Sequence, residues 1–115
     1  MTNPTISAVI ITHNEEENIS KCLSSLTGFD EIIVVDSGSN DKTIEISKSH
    51  GAKVIHQEWL GFGPQKKFAV SQAKYNWVLS IDADEYLSYE SRLSIFNADL
   101  INSKAAYSIN RRSFF

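Results

Sequence analysis

Short apolar runs, separated by segments with helical spacing, constrain the fold of this chain more than any other feature of its sequence. The runs are Ile6–Ile11, Glu31–Val35, Lys53–His56 and Trp77–Ile81. The first, second and fourth show little alternation of polar and apolar residues, which is typical of strands covered on both faces. Because strands that alternate with helices build βαβ units, the sequence predicts an α/β protein with an open, doubly wound, mostly parallel sheet.

The segments between and after these runs have the apolar spacing of helices. The predicted helices are Glu15–Leu26, Asp41–His50, Pro64–Ala73 and Ser88–Leu100, and a fifth strand is predicted at Ala105–Asn110. Asn14 is the expected N-cap of the first helix, with Glu17 as its capping-box partner. Cys22 lies on the apolar face of that helix, so we interpret it as a core residue rather than a nucleophile.

Composition narrows the class of protein. The 115 residues correspond to a single domain, 1–115, and 42% of them are hydrophobic, as in ordinary globular proteins. The net charge of −3 argues against a nucleic-acid partner, since such proteins present a basic face. A single cysteine excludes an internal disulfide. The apolar runs are far shorter than the ~20 residues of a membrane span. With no recognisable signal peptide, we expect a cytoplasmic location.

Acidic residues concentrate where the predicted strands end. Seven of the 14 Asp and Glu residues fall in the segments that follow the first, second and fourth strands. They are Glu15, Glu16, Asp36, Asp41, Asp82, Asp84 and Glu85. Ligands of doubly wound sheets bind outside the carboxyl ends of the strands, at the point where the strand order reverses. We therefore expect these carboxylates to gather at one edge of the sheet.

Clustered carboxylates repel one another and need a partner to stay ionised. A hard divalent cation is one such partner, because it prefers oxygen ligands such as Asp. Sugar or ribose hydroxyls and the N–H of a base are another. A nucleotide-diphospho-sugar bound with a divalent ion supplies both, and the ion bridges the acidic site to the diphosphate. Lys66 and Lys67, at the start of a predicted helix, suit a diphosphate as well, although Lys67 also fits a solvated helix face.

Each acidic segment has a simpler interpretation when it is taken alone. Asp82–Asp84 fits a helix N-cap or a solvated turn, and Asp36–Ser39 fits a strand-to-helix turn. Glu15 and its neighbours fit the favourable charge of a first helical turn. Only the coincidence of all three segments at one sheet edge favours a functional site. We interpret the aromatic residues, Trp59 and Trp77 among them, as core or sheet packing.

Three ordered motifs resemble those of family 2 glycosyltransferases, which have the GT-A fold. The motifs are Ile10–Glu16, Ile33–Thr43 and Val78–Glu85, and the resemblance covers about residues 5–112. The segment Gly61–Ala69 is similar to the branch that contains lipopolysaccharide inner-core β-1,4-glucosyltransferases. The resemblance implies an inverting, metal-dependent transferase whose donor is a nucleotide-diphospho-sugar, in particular a UDP-sugar.

The resemblance also implies roles for the residues at matching positions. The positions that match donor nucleotide contacts are Thr12, Asn14, Glu15, Asp36, Lys66 and Asp82. Asp36 matches a position near the base, and Glu15 matches one near the ribose. Asp84 matches the second Asp of the family's Asp-x-Asp motif, which coordinates Mn²⁺ or Mg²⁺ at the diphosphate. Asp82 matches the first, which touches ribose or metal.

The acceptor implied by the resemblance is a glycan or glycolipid, in lipopolysaccharide or cell-envelope glycan synthesis. Such a role predicts a position at the cytoplasmic face of the inner membrane, with at most peripheral membrane contact. The downstream half of family members binds the acceptor and carries the carboxylate base, and nothing after Asp84 matches it. We therefore expect this chain to be the donor-binding half of a longer protein, with the catalytic base outside it.

Two alternatives stay open from the sequence. Haloacid-dehalogenase-like phosphatases also have an Asp-x-Asp after an apolar strand, with the first Asp as nucleophile. Tyr86 and the short stretch that follows Asp84 fit that class poorly. The other alternative is a non-catalytic nucleotide-binding or interaction domain, which needs no acceptor half.

Overall fold

The structure is a computed structural model, and it describes residues 5–97. Within these residues, four strands alternate with four helices. The strands are β1 (Ile6–Thr12), β2 (Glu31–Asp36), β3 (Lys53–His56) and β4 (Trp77–Ser80), and the helices are α1 (Ile19–Ser24), α2 (Thr43–Ser49), α3 (Phe62–Ser71) and α4 (Tyr89–Asn97). The strand predicted at Ala105–Asn110 lies outside the described residues.

The strands form one parallel sheet in the order β3-β2-β1-β4. β1 is central, with Ile10 beside Val34 on β2 and Ala8 beside Leu79 on β4. The chain moves outward from β1 to β3 and then crosses back to place β4 on the other side of β1. The strand order therefore reverses between β1 and β4, which is the point where doubly wound sheets bind ligands.

Helices cover both faces of the sheet, because side chains along a strand point alternately to opposite faces. On β1, Ala8 and Ile10 belong to a buried cluster that includes Cys22 of α1. Val9, which lies between them, belongs to a second cluster that includes Ala69 of α3. The α/β architecture with an open, doubly wound sheet, predicted from the apolar runs, is confirmed.

The first four predicted strands agree with the structure to within one residue at each end, but the first helix does not. α1 begins at Ile19 rather than at Glu15. Asn14 does not cap it, since its backbone has φ of 54° and its side-chain oxygen accepts a hydrogen bond from Asn40 N at 2.9 Å. The chain first turns through residues 16–18, and Ile19 N donates to Glu15 O at 2.9 Å. A contact with a distant loop has displaced the predicted cap.

The aromatic residues divide differently from the prediction. Trp77 is half-buried against the larger cluster, as predicted. Trp59 and Phe62 are 52% and 71% exposed, so the prediction of core packing was wrong for them. Trp59 precedes α3 and Phe62 is its first residue, because the helix begins at Phe62 rather than at Pro64. Gly61 permits this entry into the helix, because its φ of 102° is a conformation that glycine adopts without strain.

The sequence places Tyr89, Leu93, Phe96 and Leu100 on one apolar face of the helix predicted at Ser88–Leu100, but α4 does not bury that whole face. Tyr89 and Leu93 are exposed, and Ile95 is buried instead. Phe96 packs as predicted, with its ring 5.1 Å from that of Phe29, centroid to centroid. None of the helices within residues 5–97 is long and apolar enough to cross a membrane.

Candidate functional site

The segments that follow β1, β2 and β4 lie at one edge of the sheet, because the strands are parallel. The loop after β1 and the turn after β4 border the switch point, and the loop after β2 lies next to the first of these. The topology therefore brings the acidic strand ends of the sequence to one carboxyl edge.

Asp36 is buried at the end of β2 and organises the loop that follows it. Its carboxylate accepts hydrogen bonds from the hydroxyls of Thr12 at 2.7 Å and Ser39 at 2.5 Å. It also accepts from the backbone N–H groups of Gly38 at 2.9 Å and Ser39 at 2.7 Å. Burial raises the pKa of Asp36, but these hydrogen bonds outweigh burial and hold the pKa below its ordinary value. Thr12 and Asp36, both predicted at the nucleoside, thus hold one another.

Hydrogen bonds with residues that follow β2 fix the backbone of the loop that follows β1. Asn14 N donates to Ser39 Oγ at 2.8 Å, and Asn14 Oδ1 accepts from Asn40 N at 2.9 Å. Glu15 N donates to the hydroxyl of Thr43, a buried residue, at 2.7 Å. Asn14 and Glu15 are therefore held in place by long-range contacts, and the Glu15 side chain stays partly exposed at the switch point.

Two of the acidic residues tie these loops together. Asp41 accepts from Glu16 N at 3.2 Å and Thr43 N at 2.9 Å, and Glu16 Oε1 accepts from Lys42 N at 2.9 Å. Burial raises the pKa of Asp41, whereas hydrogen bonds from Thr43 and Glu16 lower it below its ordinary value. Glu16 and Asp41 accept hydrogen bonds from backbone N–H groups of these loops, and Asp41 also accepts from the Thr43 hydroxyl at 2.6 Å, so we assign both carboxylates to loop structure.

The turn after β4 carries the Asp-x-Asp pair. Glu85 closes this turn, because its N–H donates to Asp82 O at 2.9 Å and its carboxylate accepts from Asp82 N at 3.0 Å. Lys66 Nζ of α3 lies 3.3 Å from Asp82 Oδ1. Asp84 is exposed. The structure thus brings Lys66 and Asp82 into direct contact and leaves Asp84 open to a ligand.

The buried Cys22 lies close enough to the carboxylates of the switch point for their charges to affect the pKa of its thiol. Its thiol, buried in α1, lies 3.6 Å from Asp82 O. Burial is the largest cause that raises its pKa to about 12, and the negative charges of Glu85, Asp82, Asp84 and Glu15 contribute in the same direction. The carboxylates after β1 and after β4 therefore act on one point. The thiol stays protonated at neutral pH, which agrees with the predicted core role.

Asp82 and Asp84 are the carboxylates that suit a divalent cation. Among residues 5–97, no group of three or more His, Cys, Asp or Glu side chains converges to hold a metal ion by itself. A site with one or two carboxylates fits Mg²⁺ or Mn²⁺, because these ions keep waters and bind phosphate oxygens of a substrate as further ligands. The residues present therefore fit an ion that is completed by a bound diphosphate.

Gln65 is a residue of this edge that the sequence analysis missed. It is fully buried in α3. Its side-chain oxygen accepts from Leu60 N at 3.0 Å, and its side-chain nitrogen donates to Gln57 O at 3.1 Å. Gln65 therefore fixes the segment between β3 and α3. A polar residue one position before Lys66 was the signal in the sequence, but its partners depend on the path of the loop.

Comparison with known proteins identifies the family. The model of glycosyl transferase family 2 matches residues 7–113. A protein called an uncharacterized glycosyltransferase, from Rickettsia typhi, is 52% identical over 86 residues, which cover 74% of this chain and 30% of the relative. The lipopolysaccharide core biosynthesis glycosyltransferase LpsC of Rhizobium meliloti is 40% identical over 87 residues, covering 71% and 32%. The chain therefore spans about a third of the length of these relatives.

Two synthases of sugar-linked phosphoglycerates have solved structures with the same fold. Mannosyl-3-phosphoglycerate synthase from Rubrobacter xylanophilus has a TM-score of 0.68 at 25% identity, over 84% of this chain and 37% of that one. Glucosyl-3-phosphoglycerate synthase from Mycobacterium tuberculosis, in complex with Mn²⁺, UDP-glucose and phosphoglyceric acid, has a TM-score of 0.63 at 27% identity, over 72% and 35%. With the family match over most of its length, this chain belongs to glycosyl transferase family 2 and has the GT-A fold.

Proposed function

We propose that the carboxyl edge between β1 and β4 binds a nucleotide-diphospho-sugar, in particular a UDP-sugar, together with Mn²⁺ or Mg²⁺. The observation that carries this proposal is the position of Asp82 and Asp84 at the switch point, with the Lys66 ammonium beside them. The carboxylates suit the ion, and the ammonium suits a phosphate oxygen. The complex of the M. tuberculosis synthase with Mn²⁺ and UDP-glucose supports this class of ligand.

In this proposal the loops after β1 and β2 hold the nucleoside. The Glu15 carboxylate accepts hydrogen bonds from ribose hydroxyls, and Asn14 borders the same position. Asp36 lies on the base side, and Thr12 keeps its carboxylate in place. Binding costs little ordering of these loops, because the hydrogen bonds between them are already made.

The proposed reaction transfers the sugar with inversion at the anomeric carbon. An acceptor hydroxyl forms the new bond to that carbon, the bond to the diphosphate oxygen breaks, and the hydroxyl proton passes to a general base that we assign to no residue of this chain. When bound at Asp82 and Asp84, the ion would neutralise charge at the departing diphosphate. Lys66 adds a second positive charge on the same side.

We infer that the acceptor is a glycan or glycolipid of lipopolysaccharide or the cell envelope. The R. meliloti relative, a lipopolysaccharide core biosynthesis glycosyltransferase at 40% identity, supports this inference. In that case the whole protein acts at the cytoplasmic face of the inner membrane, with at most peripheral contact. The phosphatase alternative is dropped, since the family match covers the Asp82–Asp84 segment.

Calorimetric titration with UDP, in the presence and absence of Mn²⁺, tests the proposal. We expect Mn²⁺ to strengthen UDP binding, and we expect Asp84→Asn to weaken the Mn²⁺-dependent binding by about tenfold, or about 1.4 kcal/mol. Glu45→Gln, an exposed carboxylate on α2, is the matched control and keeps wild-type affinity.

Two results would count against the proposal. Absence of UDP binding to the wild-type chain under both conditions contradicts the donor site. Equal affinity of wild type and Asp84→Asn for UDP with Mn²⁺ contradicts the metal role of Asp84. If the complete protein binds UDP–Mn²⁺ but transfers no sugar from UDP-glucose to cell-envelope glycans, the result favours the alternative of a non-catalytic nucleotide-binding domain.

A further inference from the structure

The segment between β3 and α3 exposes large apolar side chains. We call residues 57–63 the aromatic loop. Trp59 is 52% exposed, Leu60 48% and Phe62 71%. The two rings contact each other edge to face, with centroids 5.2 Å apart and planes at 84°. Three large apolar side chains exposed within four residues make this loop a candidate binding surface, because contiguous exposed apolar patches often mark interaction sites.

The aromatic loop is held in one shape although its rings are exposed. Buried Gln65 bonds to Leu60 N and Gln57 O, and Gln57 N donates to Asp36 O at the end of β2, at 2.9 Å. The ordering of the loop is thus achieved before any ligand arrives. A pre-organised aromatic surface loses less conformational entropy on binding than a mobile one.

The rings lie at the same carboxyl edge of the parallel sheet as the proposed donor site. Phe62 and Lys66 are four residues apart on α3, so they share one face of the helix about one turn apart. Helical side chains lean toward the N-terminus of their helix, which directs Lys66 toward Phe62. Lys66 Nζ in turn contacts Asp82 Oδ1 at 3.3 Å. Phe62 is therefore one helical turn from the lysine that contacts the Asp-x-Asp turn, and Trp59 contacts Phe62.

The charges around the rings favour a neutral partner rich in hydroxyl groups. Glu58 lies within the loop with its side chain 84% exposed, and it bonds to His56 at 3.0 Å. Together with Asp82 and Asp84 at the same carboxyl edge, Glu58 supplies carboxylates that accept hydrogen bonds from hydroxyls and that repel an anionic lipid headgroup. An aromatic ring packs against the apolar C–H face of a pyranose, while the hydroxyls at the sugar's rim reach polar groups.

We propose that Trp59 and Phe62 form one wall of the subsite for a pyranose ring of the acceptor glycan, and that they add to the acceptor contacts which the family resemblance implies for the downstream half of the protein. This inference rests on the proposed function, because it places the acceptor beside the donor held at Asp82 and Asp84. The aromatic pair packs against the acceptor sugar and presents its hydroxyl toward the switch point. Gln65 keeps the two rings in position for that contact.

Saturation-transfer NMR with the full chain, UDP and Mn²⁺ tests the inference. The probes are the methyl pyranosides of glucose, galactose and mannose. We expect at least one probe to bind, and both Trp59→Ala and Phe62→Ala to weaken it by about fivefold, the size of one aromatic contact. Trp59→Phe retains a ring and recovers part of the affinity.

Leu60→Ala is the matched control in the same loop. It removes exposed apolar surface but no ring, so we expect its sugar affinity to stay within about twofold of wild type. The UDP–Mn²⁺ affinity of all these variants is measured in parallel, and we expect it to be unchanged. Retained UDP–Mn²⁺ binding shows that a variant is folded.

Several outcomes would overturn the inference. One is that no probe binds, or that Trp59→Ala and Leu60→Ala lose sugar binding equally. Another is binding of phosphatidylglycerol vesicles that falls equally in Trp59→Ala, Leu60→Ala and Phe62→Ala, which indicates a membrane contact. A third is self-association in sedimentation equilibrium that Trp59→Ala abolishes, which indicates a second copy as partner. If the wild-type chain does not bind UDP–Mn²⁺ at all, the proposed function fails, and the sugar-binding result then has to be judged separately.

Discussion

At the scale of the residue, Asp36 shows how one buried carboxylate shapes the candidate site. It accepts hydrogen bonds from two hydroxyls and two backbone N–H groups. In Asp36→Asn the amide nitrogen cannot accept a hydrogen bond, so several donors lose their partner. We expect the free energy of unfolding to fall by about 2–4 kcal/mol at neutral pH, measured by urea denaturation. Glu45→Gln is the control and stays within about 0.5 kcal/mol of wild type.

The pH dependence of that difference follows from the lowered pKa of Asp36. Because the folded-state pKa lies below the unfolded value of about 3.8, the carboxylate stabilises the fold fully above that value. The stabilisation is lost as the pH falls through the folded-state pKa. The difference between wild type and Asp36→Asn is therefore largest at neutral pH and shrinks below the unfolded pKa. A difference that grows with acidity would contradict this account of Asp36.

Lys66 and Lys67 allow a direct test of which ammonium belongs to the site. Lys66 contacts Asp82, whereas Lys67 is exposed on the next position of α3. We expect Lys66→Met to weaken UDP–Mn²⁺ binding by about tenfold and Lys67→Met to leave it within about twofold. Both changes leave the free energy of unfolding within about 1 kcal/mol, since the ion pair is partly exposed. Equal losses of affinity in the two variants would show that only net charge matters.

At the scale of the element, the join between the aromatic loop and α3 depends on Gln65. Gln65→Leu leaves Leu60 N and Gln57 O without their partner, which costs about 1–3 kcal/mol. We expect the Leu60 amide to exchange its hydrogen faster in this variant, as measured by NMR. Gln72→Leu, at the other end of α3, is the control, because Gln72 bonds only weakly to Ser71 Oγ at 3.3 Å. Unchanged exchange at Leu60 would contradict the bracing role of Gln65.

The elements also show how far the sequence predicts this fold. The strands were predictable because apolar runs such as Ile6–Ile11 identify buried strands without reference to the rest of the chain. The start of α1 was not, because Asn14 is drawn from its expected capping role by a hydrogen bond to Asn40, which is distant in sequence. The exposure of Trp59 was not predictable either, since hydrophobicity alone does not distinguish a core residue from one on a binding surface.

At the scale of the whole molecule, the candidate site is a product of topology. The order β3-β2-β1-β4 brings Glu15 and Asp82 to the same edge, although they are far apart in sequence. Parallel strands made that edge predictable. Which of the carboxylates face a ligand was not predictable, because Glu16, Asp41 and Glu85 are engaged with loop backbone that only the folded chain defines.

The central claim is that this edge binds a nucleotide diphosphate with a divalent ion. Paramagnetic Mn²⁺ added with UDP broadens NMR signals near the ion and tests the claim most directly. We expect the amide signals of residues 13–15 and 82–86 to disappear first. Those of Asp30 and Tyr75, at the other end of the sheet about 20 Å away, should persist. Broadening centred on that opposite end, or broadening that is the same with and without UDP, would contradict it.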